Sequence, residues 1–179
     1  MNLPNKLTVL RVIAVPFFIA LYLTGHYYIA TVLFIAASFT DMLDGKIARA
    51  RGLVTNFGKI MDPLADKILV YAAFVLLVQD GTVAGWMLIV ILMREFTVSG
   101  LRTVAAADGI VIAAGMTGKI KTVLQMIAVP LLIFYRAMEK TEYEHYIYIA
   151  AMAFLFASLF MTVYSGCEYI LKNKQVFRQ

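Results

Sequence analysis

Six apolar runs of about 20 residues each, the length a helix needs to cross a bilayer, set the terms for this chain. They fall at about Leu7–Thr24, Tyr27–Arg49, Gly58–Val78, Val83–Ala106, Gly118–Met138 and Tyr146–Leu171. Turn signals separate them: Gly25-His26, the polar stretch Arg51–Phe57, Gln79-Asp80-Gly81, a loop from Asp108-Gly109 to Thr117, and the charged run Glu139–Glu144. Backbone groups find no water partner in lipid, so a spanning run must close its hydrogen bonds within itself as a helix. Pro16 and Pro130 fall inside runs and read as tolerated kinks. The expectation is an all-α polytopic membrane protein with six transmembrane helices. A short amphipathic N-terminal segment, Met1–Arg11, precedes them, with Pro4 placed to start a helix. No internal repeat, low-complexity stretch or linker divides residues 1–179, which read as a single domain.

Of the 179 residues, 62% are hydrophobic and 15% charged, where a soluble domain carries roughly a quarter charged. The single cysteine, Cys167, leaves no disulfide framework and reads as a small apolar residue of the last run. The net charge of +5 comes without an aromatic-interleaved basic stripe, which argues against nucleic acid. Its basic residues gather at the ends of apolar runs, where the positive-inside bias and anionic lipid or phosphate account for them. Lys6 and Arg11 precede a full-length apolar run, not the short core of a cleavable signal. With the N-terminus in the cytoplasm, six spans put all but two of the 16 Lys and Arg residues toward that side. Only Arg136 and Lys140 then lie outside. The expected orientation therefore has both termini in the cytoplasm of a multi-pass cell-membrane protein.

This orientation brings four carboxylates to the cytoplasmic ends of the second and third runs. Asp41 and Asp44 are three residues apart and Asp62 and Asp66 four, so on helices each pair shares one face. At about 100° per residue, Asp41, Asp44, Gly45 and Ala48 form one stripe, and Gly58, Asp62 and Asp66 another. The glycines allow a ligand or a second backbone to approach closely. Four acids gathered beside lipid repel one another and resist desolvation unless cations hold them. Hard oxygen donors without His or Cys favour Mg²⁺ or Mn²⁺ over zinc. Two divalent cations would neutralise the four charges, as in two-metal sites that serve displacement at phosphorus. The plainer alternative, salt bridges to Lys46, Arg49, Lys59 and Lys67, leaves the regular spacing and the glycines unexplained. A cation transporter is an alternative of a different class; it expects acids spread through the membrane depth, not gathered at one side.

The pattern Asp41-x-x-Asp44-Gly45-x-x-Ala48-Arg49, eight residues, then Gly58-x-x-x-Asp62-x-x-x-Asp66 resembles the signature of the CDP-alcohol phosphotransferases. Every signature position is present, and the six-run layout extends the resemblance over nearly the whole chain. The resemblance implies that Asp41, Asp44, Asp62 and Asp66 hold two divalent cations, Mg²⁺ or Mn²⁺, and that Asp66 is also the general base. It implies that Gly45, Arg49, Thr55 and Gly58 contact the CDP moiety of CDP-diacylglycerol. Pro4-Asn5-x-x-Thr8-x-x-Arg11 is similar to the family's N-terminal element, in which Asn5 and Thr8 would help hold the nucleotide. A homodimer among membrane lipids is expected on the same ground.

The acceptor alcohol must be read from the second half. Arg94, Arg102, Lys119 and Lys121 lie in or beside apolar runs, where an unpaired charge is expensive. Arg94 and Glu95 as a local pair, with both lysines snorkelling, is one account. Their gathering on the cytoplasmic side favours a pocket for the acceptor's phosphate, with Arg as bidentate donor and Lys as point charge. Arg94-Glu95-Phe96-Thr97-Val98-Ser99-Gly100-Leu101-Arg102 and Gly118-Lys119-Ile120-Lys121-Thr122 resemble the branch of the family that makes phosphatidylglycerophosphate. That branch implies sn-glycerol 3-phosphate as acceptor. Inositol phosphate, serine and phosphatidylglycerol are the alternatives; serine, lacking phosphate, fits the cations least.

Overall fold

In the computed structural model the described residues form a bundle of six helices. They are α1 (Leu3–Leu23), α2 (Tyr27–Ala50), α3 (Asn56–Gln79), α4 (Gly85–Ala107), α5 (Met116–Ala137) and α6 (Glu144–Lys172). The structure describes residues 3–50, 56–107, 109, 112, 115–139 and 141–174, and for 3–7, 41–50, 56–60, 62, 63 and 66 the backbone alone. The described residues contain no strand. Helix limits follow the apolar runs closely except at the start. The amphipathic lead-in is no separate segment: α1 begins at Leu3 and continues unbroken to Leu23. Pro4 falls in its first turn, where a missing N–H costs no intrahelical bond, and Pro16 is absorbed within the helix.

Each helix buries one stripe at i, i+3 and i+4 spacing, as a helix with a core-facing side must. In α1 the stripe is Thr8, Arg11, Val15, Phe18 and Tyr22; in α2 Ala30, Phe34 and Ala37; in α3 Leu69, Ala73, Leu76 and Leu77. In α4 it is Leu88, Ile91, Glu95 and Val98; in α5 Lys121, Gln125, Ala128 and Leu132; in α6 Ala151, Leu155, Ser158, Thr162, Ser165 and Tyr169. The helices alternate in direction, so these stripes are apolar toward one end of the bundle and polar toward the other. α1 packs on α2 and α3, α2 on α5, and α6 on both α4 and α5. Outward faces are apolar on every helix, with Phe17, Val32, Val75, Phe96, Val123 and Phe160 all exposed. α5 and α6 are each long and apolar enough to cross a membrane.

The apolar end closes with tight turns and one polar network. Gly25 and Gly81 both adopt φ of 80°, a left-handed conformation that glycine takes without a Cβ penalty. Asp80 accepts from the Tyr22 hydroxyl, takes the Thr82 backbone N–H at 3.0 Å and pairs with Arg136 at 3.1 Å. The Arg136 guanidinium also lies 5.5 Å from the Tyr27 ring centre. One acid thereby ties α1, the α3–α4 turn and α5 together.

Candidate active site

At the polar end, the backbone register of three helices converges. The buried stripe Ala30–Phe34–Ala37 of α2 continues in steps of four and three through the positions of Asp41 and Asp44. The buried stripe Leu77–Ala73–Leu69 of α3 continues backward through the positions of Asp66 and Asp62, while Leu64 and Ile68 on the other side are exposed. Asn5 stands one turn before Thr8 on α1, and Thr8 and Arg11 are both buried. All four aspartates therefore occupy core-register positions at one end of adjoining helices. The side chains of Asn5, Asp41, Asp44, Gly45, Arg49, Gly58, Asp62 and Asp66 lie outside the described set, as does Thr55 altogether. Among the described residues no three His, Cys, Asp or Glu come together.

Beside this end, α3, α4, α5 and α6 enclose a cavity of about 380 Å³. Arg94, Arg102 and Lys119 all line it, joined by Lys67 and Lys172, against two carboxylates, Glu95 and Glu168. Glu168 is engaged by the Thr117 hydroxyl at 2.7 Å and by Lys172 at 2.5 Å. Arg102 donates its Nε–H to the Tyr169 hydroxyl at 3.1 Å and lies 5.5 Å from that ring's centre. Arg94 pairs with Glu95 at 2.8 Å, and its buried Nε has no hydrogen-bond partner among the described residues. Two glycines make room for it: a Cβ on Gly118 would stand 3.0 Å from Nη2, and one on Gly166 3.1 Å from Cγ. Lys119 is exposed and has no ion-pair partner among the described residues.

Lys121 stands apart from the other three. It is buried, its ammonium is taken by Glu95, and it lines a smaller neighbouring cavity of about 80 Å³ with Gln125 and Tyr71. Residues two apart on a helix differ by about 200° in direction, so Lys119 and Lys121 cannot face one cavity from α5. The sequence pattern also left Glu95 as a local partner of Arg94, whereas it receives Lys67 and Lys121 as well. The α6 contribution of Glu168, Tyr169 and Lys172 went unread. Its only sequence signal is polar residues recurring near the end of an apolar run.

The aspartate positions on α2 and α3 and the cation-rich cavity lie at the same end of a helical bundle. The CDP-alcohol phosphatidyltransferase family model matches residues 1–164, and the chain belongs to that family. It is 43% identical over 99% of its length to a CDP-diacylglycerol–glycerol-3-phosphate 3-phosphatidyltransferase of Bacillus subtilis, covering 97% of that protein. It is 37% identical over 98% of its length to a Rickettsia typhi protein of the same name, covering 99% of it. A third similar protein, a probable phosphatidylglycerophosphate synthase of Mycobacterium tuberculosis, is 34% identical over 96% of this chain and 81% of its own length. The chain is thus a transferase of phospholipid biosynthesis, and its family and long apolar helices make it a membrane protein.

Proposed function

We propose that the chain moves the phosphatidyl group from CDP-diacylglycerol to sn-glycerol 3-phosphate, releasing phosphatidylglycerophosphate and CMP. One observation supports the choice of acceptor: among the described residues, five cations line the cavity against two carboxylates, each already paired. A surplus of that size in a partly apolar setting calls for a doubly charged ligand such as a phosphate monoester. Arg94, Arg102 and Lys119 would bind it, with Lys121 behind them. Thr8, with Asn5, Gly45, Arg49, Thr55 and Gly58, would hold the CDP moiety.

The donor set of Asp41, Asp44, Asp62 and Asp66, all oxygen and in core register on α2 and α3, fits two divalent cations, Mg²⁺ or Mn²⁺. Bound there, such ions supply charge neutralisation for the diphosphate and for the departing CMP. Asp66 takes the proton from the acceptor's hydroxyl as that oxygen attacks the phosphorus bearing diacylglycerol. The bond from that phosphorus to the CMP oxygen breaks, and CMP leaves.

Six spans with both termini and the site on the cytoplasmic side complete the reading. The apolar outward faces on all six helices support it, since such a surface is stable in lipid and aggregates in water. The whole of 1–179 acts as one membrane domain, in a homodimer. An acceptor screen tests the function: purified protein with labelled CDP-diacylglycerol and Mg²⁺ is offered glycerol 3-phosphate, inositol phosphate, serine and phosphatidylglycerol in parallel. CMP release with glycerol 3-phosphate alone is expected; turnover with another acceptor and not with this one overturns it.

A further inference from the structure

Glu95 is a carboxylate in the middle of a membrane-protein helix, on the buried face of α4, where an acid is costly unless it is held. Three cations from three helices hold it. Lys67 of α3 stands 3.3 Å from one oxygen; Arg94 of α4, at 2.8 Å, and Lys121 of α5 share the other. Lys67 also donates to Ser99 Oγ at 3.1 Å. It directly follows Asp66 in the chain, so the helix carrying Asp62 and Asp66 is tied by this lysine to the helix carrying Arg94 and Arg102. α3 and α4 make little other contact, which leaves the Lys67–Glu95 and Lys67–Ser99 links as their main polar connection among the described residues.

Glu95 therefore does two things that a simple salt bridge does not. It draws the buried Lys121 ammonium toward α4, while Lys119, on another face of α5, remains in the larger cavity. It also fixes Arg94 so that the guanidinium rests against Gly118 and the aliphatic stem against Gly166, with Nε unpartnered among the described residues. Among the described residues one carboxylate faces three ammonium or guanidinium groups and the cluster is positive, so the acid arranges the cations and does not cancel them. Without it, the three positive groups repel and the cavity wall loses its spacing relative to α3.

We propose that Glu95 is a positioning residue for the acceptor: it touches no reacting atom, and it sets Arg94 and Lys67 so that an alcohol bound by its phosphate meets Asp66 in register. The proposal rests on the phosphatidyl-transfer reading above and is tested beside it. Wild type, Glu95→Gln and Glu95→Asp are purified in detergent and assayed for CMP release. Glycerol 3-phosphate is varied at saturating CDP-diacylglycerol, and then the reverse. For Glu95→Gln the expected result is a rise of about tenfold or more in KM for glycerol 3-phosphate, on the scale of a lost charge-assisted contact. KM for CDP-diacylglycerol should stay within about twofold, because a uniform-binding defect would move both. Glu95→Asp, which keeps the charge, should recover most of the loss. Equal shifts in both KM values, or a fall in kcat with KM for glycerol 3-phosphate unchanged, overturn the positioning role. If Glu95→Gln does not fold, Lys67→Met replaces it, breaking the α3–α4 links to Glu95 and Ser99 while leaving Glu95 paired to Arg94 and Lys121. A rise of about threefold confined to glycerol 3-phosphate is then expected, and no rise overturns the proposal. Absence of turnover by the wild type with glycerol 3-phosphate would instead overturn the function itself.

Discussion

The two ends of the bundle handle buried charge in opposite ways. At the Gly25 and Gly81 end, Asp80 accepts from Tyr22 and Thr82 and pairs with Arg136, whose guanidinium also lies near the Tyr27 ring. Arg136 also reaches Glu139 at 3.7 Å, so among the described residues that network carries no surplus of cations. At the other end, Glu95 is outnumbered by Lys67, Arg94 and Lys121, and Arg102 and Lys119 add further positive charge around an open cavity. A network in which acids meet every cation holds helices together; a cluster with surplus cations holds them and still asks for an anion. On the proposed function, the difference separates charge that serves the fold from charge that serves a ligand, although both groups look alike as isolated letters in apolar runs.

The contrast can be broken by experiment, beginning with the largest effect. Chelating divalent metal should abolish CMP release, and Mg²⁺ or Mn²⁺ should restore it; full activity in excess chelator would remove the metal role from the aspartates. Asp66→Asn should lower CMP release by about a hundredfold or more, the scale of lost general-base catalysis, with the melting temperature in detergent unchanged. Turnover near wild type would remove Asp66 as base. Lys119→Ala should raise KM for glycerol 3-phosphate by about tenfold, as expected for one charged contact, and change KM for CDP-diacylglycerol far less. Equal effects on both would take Lys119 out of the acceptor pocket. On the activity scale Asp80→Ala should do least, within about twofold on either KM, while lowering stability by about 1–3 kcal/mol through the stranded partners Tyr22 and Arg136. A selective change in KM for glycerol 3-phosphate in that variant would erase the distinction between the ends.

The helices were legible because apolar run length and turn residues are local signals; the limits of α2 to α6 follow directly from them. The lead-in was misdivided because a change from polar to apolar composition does not break a helix, and Pro4 lies in the first turn. The spacing of the four aspartates continues the buried registers of α2 and α3, and their side chains lie outside the described set. Arg94, Arg102 and Lys119 share one cavity, but the rotation between Lys119 and Lys121 shows that residues close in sequence diverge on a helix. The roles of Glu95, Glu168 and Tyr169 depend on partners as far away as 26, 51 and 67 positions. No periodicity reports contacts of that separation.

The cavity walls are drawn from α3 through α6, whereas the aspartate positions belong to α2 and α3. Only α3 serves both, and on it Asp66 and Lys67 are neighbours. If the cavity takes the acceptor as proposed, changes confined to α4, α5 and α6 alter the choice of alcohol while leaving the aspartate positions in place.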